Sequence, residues 1–200
     1  MRPISLHTIL IALTLFGSSA MAADVPSTAT KTALFAGGCF WCMQPSYDNT
    51  PGVVATSVGY TGGDAASANY DAVSAGKTAH VEAIEITYDP AKVTYETLLA
   101  TYWENIDPTD AGGQFADRGD HYRTAIFFAD AAQKTAAELS KKAIQTKFAP
   151  APIAVQILPA KPFYPAEDYH QKYYQKNSTH YNAYKQGSGR AGYLKQTWGK

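Results

Sequence analysis

Net charge is absent from this chain: 17 Lys and Arg stand against 17 Asp and Glu in 200 residues. No global basic field is therefore available to attract nucleic acid. Cysteine is scarce, with Cys39 and Cys42 only, which excludes a disulfide-dense scaffold. A chain of this length buries a core that stands without staples. Metal-ligand spacing is missing as well, because two cysteines with His80, His121, His170 or His180 match no recognised zinc pattern. A membrane span is also missing from the N-terminal apolar run at 9–16, which is far shorter than the roughly 20 residues a bilayer requires.

That apolar run has a different reading. Arg2 precedes it, and small residues at Ala20 and Ala22 follow, the pattern of a secretory signal peptide. The expected organisation is a cleaved signal at 1–22, a polar lead at 23–32 and one domain at 33–200. Periplasmic location, or full secretion, follows from that segment, with no stable membrane association after cleavage. Export places the thiols where disulfides form readily, so a structural Cys39–Cys42 bond stays open as a reading.

Along the domain, "TALFAGG" reads as a buried strand broken at Gly37-Gly38, and both cysteines follow the break. "MQPSYDNTPG" carries turn signals at Pro45, Asn49 and Pro51-Gly52, before an apolar run at 53–58. In "AHVEAIEITYDP" the alternate residues Glu82, Ile84, Ile86 and Tyr88 share a strand face, so Glu82 sits among apolar neighbours. "VTYETLLATYWENIDP" reads as a core helix capped by Thr94. "YRTAIFFA" and "IAVQIL" read as strands, and "DAAQKTAAELSKKAIQTKF" as an Asp130-capped helix. "AEDYHQKYYQKN" reads as a helix after Pro165, and the chain beyond Gly187 as an irregular surface tail. The expected class is α+β: mixed layers in one compact domain, a mixed sheet flanked by helices.

A strand, a glycine pair and then a helix put Cys39 near a helix N-terminus, where unpaired amides favour a thiolate. If the helix includes Cys42, the two sulfurs lie at i and i+3, within reach of a disulfide. A dithiol oxidoreductase, a structural disulfide and, less readily, a zinc site all remain compatible with this pair. Phe40 and Trp41 are ordinary core anchors by composition. Beside an exposed thiolate they also form an apolar cup that suits a thioether methyl group.

"GGCFWC", with "GYTGG", "HVEAIEITYDP", "YWENIDPT", "DRGDHYRTAIF" and "PFYPAEDYHQKYY" in that order, resembles the A-type peptide methionine sulfoxide reductases. These are the enzymes that return one epimer of methionine sulfoxide to methionine. The resemblance runs from about residue 33 to residue 175 and implies a ferredoxin-like core. It implies that Cys39 attacks the sulfur of the S epimer, that Glu82 protonates the departing oxygen, and that Tyr60 and Tyr122 hold that oxygen. Asp117 joins the surrounding polar network, and Phe40 with Trp41 holds the methyl group. Tyr70, His80 and the "AEDYHQ" segment match the family as structural support.

The match has departures. Ala79 stands where glycine is frequent in the family, His121 where glutamine is common, and "GSGRAGYLKQTWGK" carries no recycling cysteine. Cys42 is then the only thiol left to resolve a Cys39 sulfenic acid. The implied enzyme needs no metal or organic cofactor, draws electrons from a thioredoxin-like reductant, and acts as a monomer on oxidised proteins or peptides bearing methionine sulfoxide. A general disulfide oxidoreductase and a secreted binding domain stapled by one bond are the competing classes.

Overall fold

A computed structural model describes residues 29–199; the expected signal at 1–22 lies outside the described residues. The strands are β1 (Lys31–Gly37), β2 (Val53–Thr61), β3 (Val81–Tyr88), β4 (Gly113–Gln114), β5 (Asp117–Arg118), β6 (Thr124–Phe128), β7 (Gln156–Pro159) and β8 (Phe163–Pro165). The helices are α1 (Phe40–Asp48), α2 (Tyr70–Ser74), α3 (Tyr95–Trp103), α4 (Ala131–Phe148), α5 (Tyr173–Lys176), α6 (Ser178–Gly187) and α7 (Arg190–Trp198). Six strands form one sheet in the order β7-β6-β1-β3-β2-β8, and β4 pairs with β5 as a separate hairpin.

The four central strands, β6-β1-β3-β2, are antiparallel, with α1 joining β1 to β2 and with α3 between β3 and β6. This is the expected ferredoxin-like core. β7 adds a parallel partner to β6, and β8 adds an antiparallel edge to β2.

Period-two alternation divides the sheet residues between its faces. Phe35, Val58, Ile84, Ile86 and Ile126 join Leu98, Leu99 and Tyr102 of α3 in the main core. Leu34, Ala36, Ala83, Ala125 and Phe127 form a smaller cluster. Glu82 shares the face of Ile84 and Ile86, as the alternation predicts. Thr94 and Asp130 cap α3 and α4 by accepting from the backbone N–H groups of Thr97 and Gln133.

Three local expectations are corrected. α1 runs past the turn signal at Pro45 to Asp48, because Phe40, Met43, Gln44 and Tyr47 present one buried face to the core. In the "AEDYHQKYYQKN" segment only Tyr173–Lys176 is helical; the left-handed Lys172 (φ 52°) interrupts it. The side chains before it are spent elsewhere, Gln171 bonding both the N–H and the C=O of Val58. The tail after Gly187 is helix α7 and not irregular, with the left-handed Gly189 turning the chain from α6 into α7 and Leu194 buried beneath it. Among the described residues no helix is long and apolar enough to cross a membrane.

Candidate active site

The site is built where β1 ends. Gly38 has φ +76°, a left-handed conformation that glycine adopts at little cost. A Cβ there would stand 2.5 Å from Cβ of Gln114, so this turn needs glycine twice over. The next residue, Cys39, is the N-cap of α1, and its side chain makes no capping bond. One of the helix's unpaired N–H groups instead finds a partner across the fold: Phe40 N donates to Oε2 of Glu82 at 3.0 Å. The strand alternation that points Glu82 inward thus brings its carboxyl to the N-terminus of the cysteine helix.

Glu82 is 2% exposed. Burial pushes its carboxyl from the usual 4.5 up to about 8, against the opposing pull of the Phe40 hydrogen bond, with the Asp117 charge adding to the rise. The group is therefore protonated at neutral pH. One oxygen is engaged by Phe40 N, which leaves the other to carry a proton.

Cys39 and Cys42 are both free thiols, 6% and 3% exposed, on the first turn of α1, where Cys42 N donates to Cys39 O at 3.0 Å. The helix N-terminus alone predicts a Cys39 thiolate. The structure corrects that expectation for the resting protein: burial pushes the Cys39 thiol well up, and hydrogen bonding to Cys42 and the negative charges nearby push the same way. That same bond pulls Cys42 down to about 7 against its own burial, with the Arg190 charge helping. The first ionisation of the pair leaves one negative charge across a sulfur–sulfur hydrogen bond, with Cys42 able to take the Cys39 proton.

A cavity of about 150 Å³ opens beside Cys39, lined by Phe40, Trp41, Tyr70, Glu82, Asp117, Tyr122 and Tyr184. Pockets for drug-sized ligands run roughly 300–1,000 Å³, so this chamber suits the end of one side chain. Asp117 comes from β5 and Tyr122 from the short 3-10 turn Asp120–Tyr122. Burial raises the Tyr122 hydroxyl above its ordinary range, with Glu82 next in effect, so it remains a donor. A larger hollow of about 460 Å³, reached by His80, Arg123 and Lys161, contains neither cysteine.

Trp41 is held from several sides. Its ring stacks on Tyr173 at 3.8 Å and 6°, meets Tyr184 edge-on at 6.0 Å, and its Nε1 donates to Nδ1 of His170 at 3.0 Å. That bond makes His170 Nδ1 an acceptor, so the neutral ring carries its proton on Nε2. Burial also lowers the His170 pKa, consistent with a neutral ring.

Of the residues expected at the site, Cys39, Phe40, Trp41, Glu82, Asp117 and Tyr122 line one chamber, and Cys42 lies next to Cys39. Tyr60 is not among the lining residues. It is fully buried beside Phe40, and its hydroxyl donates to Oε2 of Glu167 at 2.9 Å. Tyr70, expected as support, lines the chamber instead. Glu167 links the two, because its Oε1 accepts from Tyr70 N at 2.9 Å. The sequence signal available for Tyr70 is the Asn69 cap, which starts α2 at that residue by accepting from Ala72 N.

Tyr184 was missed altogether. It arrives on α6, donates its hydroxyl to Oδ2 of Asp117 and hydrogen-bonds the Cys39 thiol. Among the described residues no group of three or more His, Cys, Asp or Glu side chains is arranged to hold a metal ion.

The arrangement offers a thiol, a protonated carboxylic acid and phenol donors around a small aromatic-walled space. That set can transfer an oxygen atom from a polar sulfur centre to Cys39. Comparisons with known proteins point the same way. Residues 31–200 match the family model described as peptide methionine sulfoxide reductase. A Bacillus licheniformis protein named peptide methionine sulfoxide reductase MsrA is 51% identical over 171 residues, 85% of this chain and 94% of that one. The structure is similar to methionine sulfoxide reductase A of Corynebacterium diphtheriae, with TM-score 0.70 and 36% identity, over 74% of this chain and 76% of the other. It is also similar to Mxr1 of Saccharomyces cerevisiae in complex with Trx2, with TM-score 0.52 and 25% identity, over 74% and 86% of the two chains.

Proposed function

The chain belongs to the peptide methionine sulfoxide reductases, enzymes that reduce the S-sulfoxide of methionine, and from that premise we propose how its own residues carry the reaction. The substrate's methyl group enters the space walled by Phe40 and Trp41, and its oxygen meets the Glu82 carboxyl and the Tyr122 and Tyr70 hydroxyls. Cys39 gives up its proton to Cys42 and attacks the sulfoxide sulfur. Glu82 donates a proton to the oxygen as it leaves sulfur. The new bond between Cys39 and the substrate sulfur breaks as the hydroxyl passes to Cys39, leaving a sulfenic acid there, and methionine departs.

Cys42 then attacks the oxidised Cys39 sulfur. Cys42 passes its proton to the Glu82 carboxylate as it attacks; the S–O bond breaks, the S–S bond forms, and the oxygen leaves as water with that same proton. A thioredoxin-like dithiol reduces the disulfide and is itself oxidised. The yeast relative seen with Trx2 supports a donor of that kind. The substrates are proteins or peptides bearing methionine sulfoxide, with free methionine sulfoxide also admitted because the chamber takes only the side chain's end.

The observation that carries this reading is the buried Glu82 carboxyl, pushed up to about 8, sharing with Cys39 a small aromatic-walled chamber that suits a side-chain end. Tyr70 takes the oxygen-holding role expected of Tyr60, and Tyr60 supports it through Glu167. The signal-like segment at 1–22 supports a periplasmic address and the repair of oxidised exported proteins. Electrons would then have to be delivered through the membrane.

The test is to incubate the purified chain and its Cys39→Ser variant with separated S and R epimers of a capped methionine sulfoxide and dithiothreitol. Loss of the S epimer alone, abolished in the variant, is the expected result. Reduction of neither epimer by folded, reduced protein would return the pair to a general dithiol role, which insulin reduction would then report.

A further inference from the structure

Arg190 lies in the C-terminal "GSGR" stretch, to which the sequence reading assigns nothing. It is the N-terminal residue of α7 and only 1% exposed. Taking a guanidinium out of water costs several kcal/mol, which a buried ion ordinarily offsets with a carboxylate. Arg190 meets none within ion-pair distance among the described residues. Nη1 donates to Asn105 O at 2.5 Å, Nη2 donates to Gly37 O at 3.2 Å, and the guanidinium lies 4.6 Å from the Phe115 ring centre. Nε is buried without a partner.

Its place explains why this arrangement is tolerated. Gly37 O is the last strand carbonyl before the cysteine turn, and a Cβ on Gly38 would stand 3.1 Å from Arg190 Nη2. The guanidinium thus sits directly beneath the backbone from which Cys39 and α1 project. Its neutral partners leave its field unspent, so the charge acts on whatever anion forms above it.

We propose that Arg190 is a positioning residue for the thiol pair: it fixes the Gly37-Gly38 turn beneath Cys39 and supplies the positive charge that favours the Cys42 thiolate attacking oxidised Cys39. This inference rests on the resolving role assigned to Cys42 above. In that step the Cys42 sulfur is oxidised, the sulfenic sulfur is reduced, and the oxygen leaves as water. Other groups act on Cys42 too. Cys39 on α1 hydrogen-bonds it, Asp117 on β5 opposes its ionisation, and Lys185 on α6 favours it. Glu82 on β3 and Tyr181 and Tyr184 on α6 also feel its charge. Arg190 ranks ahead of the other charges that favour the thiolate.

The experiment is a single turnover without external reductant, across pH, in the wild type, Arg190→Gln and Arg190→Lys. It reads methionine formed, sulfenic acid trapped by dimedone, and disulfide by mass spectrometry. Glutamine keeps a donor and loses the charge. Its Cys39 sulfenic acid should persist, with disulfide closure about tenfold slower near neutral pH and recovering as pH rises by about a unit. Lysine keeps the charge, so its closure midpoint should match the wild type while its methionine-forming step slows.

Closure in Arg190→Gln at the wild-type rate and midpoint would overturn the proposal. So would equal losses in both variants with no change in pH profile, the signature of a merely structural residue. If Arg190→Gln does not fold, Arg190→Met, which keeps the apolar stem and loses the charge, takes its place: a closure midpoint raised by about a unit supports the proposal and a wild-type midpoint overturns it. A wild type that makes methionine but no Cys39–Cys42 disulfide would refute the resolving role of Cys42 instead.

Discussion

Replacing Glu82 with glutamine should remove activity and stabilise the fold. The folded carboxyl ionises at about 8, while the unfolded one ionises near the usual 4.5. A group whose pKa is raised by folding contributes its stability below the unfolded value and loses it as pH rises through the folded one. Below pH 4.5 both states hold the proton, so wild type and Glu82→Gln should differ little on this account. Near pH 7 the unfolded wild type has released its proton and the folded protein retains it. At roughly 1.4 kcal/mol per pH unit, the interval from 4.5 to 7 costs the wild type about 3 kcal/mol. Glutamine, neutral at every pH, avoids that cost.

Urea unfolding of both reduced proteins from about pH 4 to pH 8 measures the difference, since other titrating groups are common to both and cancel. The variant's advantage should grow with pH towards about 3 kcal/mol near neutrality, while its reductase rate falls by about 100- to 10,000-fold for want of an acid. An advantage independent of pH, or a wild type that gains on the variant as pH rises, would refute a buried protonated Glu82.

The two tyrosines separate by the same reasoning. Tyr70→Phe should lower kcat by about 10- to 100-fold, in the manner of a lost donor to a polarised oxygen. Tyr60→Phe should cost about 1–2 kcal/mol of stability through the unpaired Glu167, with a smaller effect on kcat; the reverse pattern would restore Tyr60 to the chamber. Gly38→Ala should cost more than about 2 kcal/mol by thermal unfolding, because it combines a left-handed φ with a Cβ clash against Gln114. A variant as stable as wild type would mean the turn relaxes. Tyr173→Ala removes the stack under Trp41 and should raise KM several-fold, in line with about 0.5–1.5 kcal/mol for an aromatic pair. An unchanged KM would show that Trp41 needs no such support.

Much of this site could be read because its logic is local. The strand, glycine break and helix around Cys39 follow from seven or eight adjacent residues, and the period-two pattern of β3 alone turns Glu82 towards Ile84 and Ile86. The helix caps at Thr94 and Asp130 are equally short-range. What escaped was assembled across the chain. Tyr70 is oriented by Glu167, which lies 97 residues away, and Tyr60 is turned from the chamber by the same carboxylate. Arg190 belongs to a stretch whose glycines suggest a loose tail, and Tyr184 lies just before it, between the expected helix ending at Asn177 and that tail. Gly189 is instead the hinge between two helices that pack both side chains against the cysteines' surroundings. The Cys39 thiol went wrong for a similar reason: the helix terminus was visible in sequence, but the walls that bury the sulfur were not.

In the proposed reaction, oxygen passes from the sulfoxide sulfur to Cys39. Heavy-oxygen-labelled S-sulfoxide, mixed with reduced Cys42→Ser protein and analysed directly by mass spectrometry without a trap that displaces the sulfenic oxygen, follows that atom. One labelled oxygen on the Cys39 peptide for each methionine released is the expected result. Methionine released with the label in bulk water from the start, or on any other residue, would contradict it.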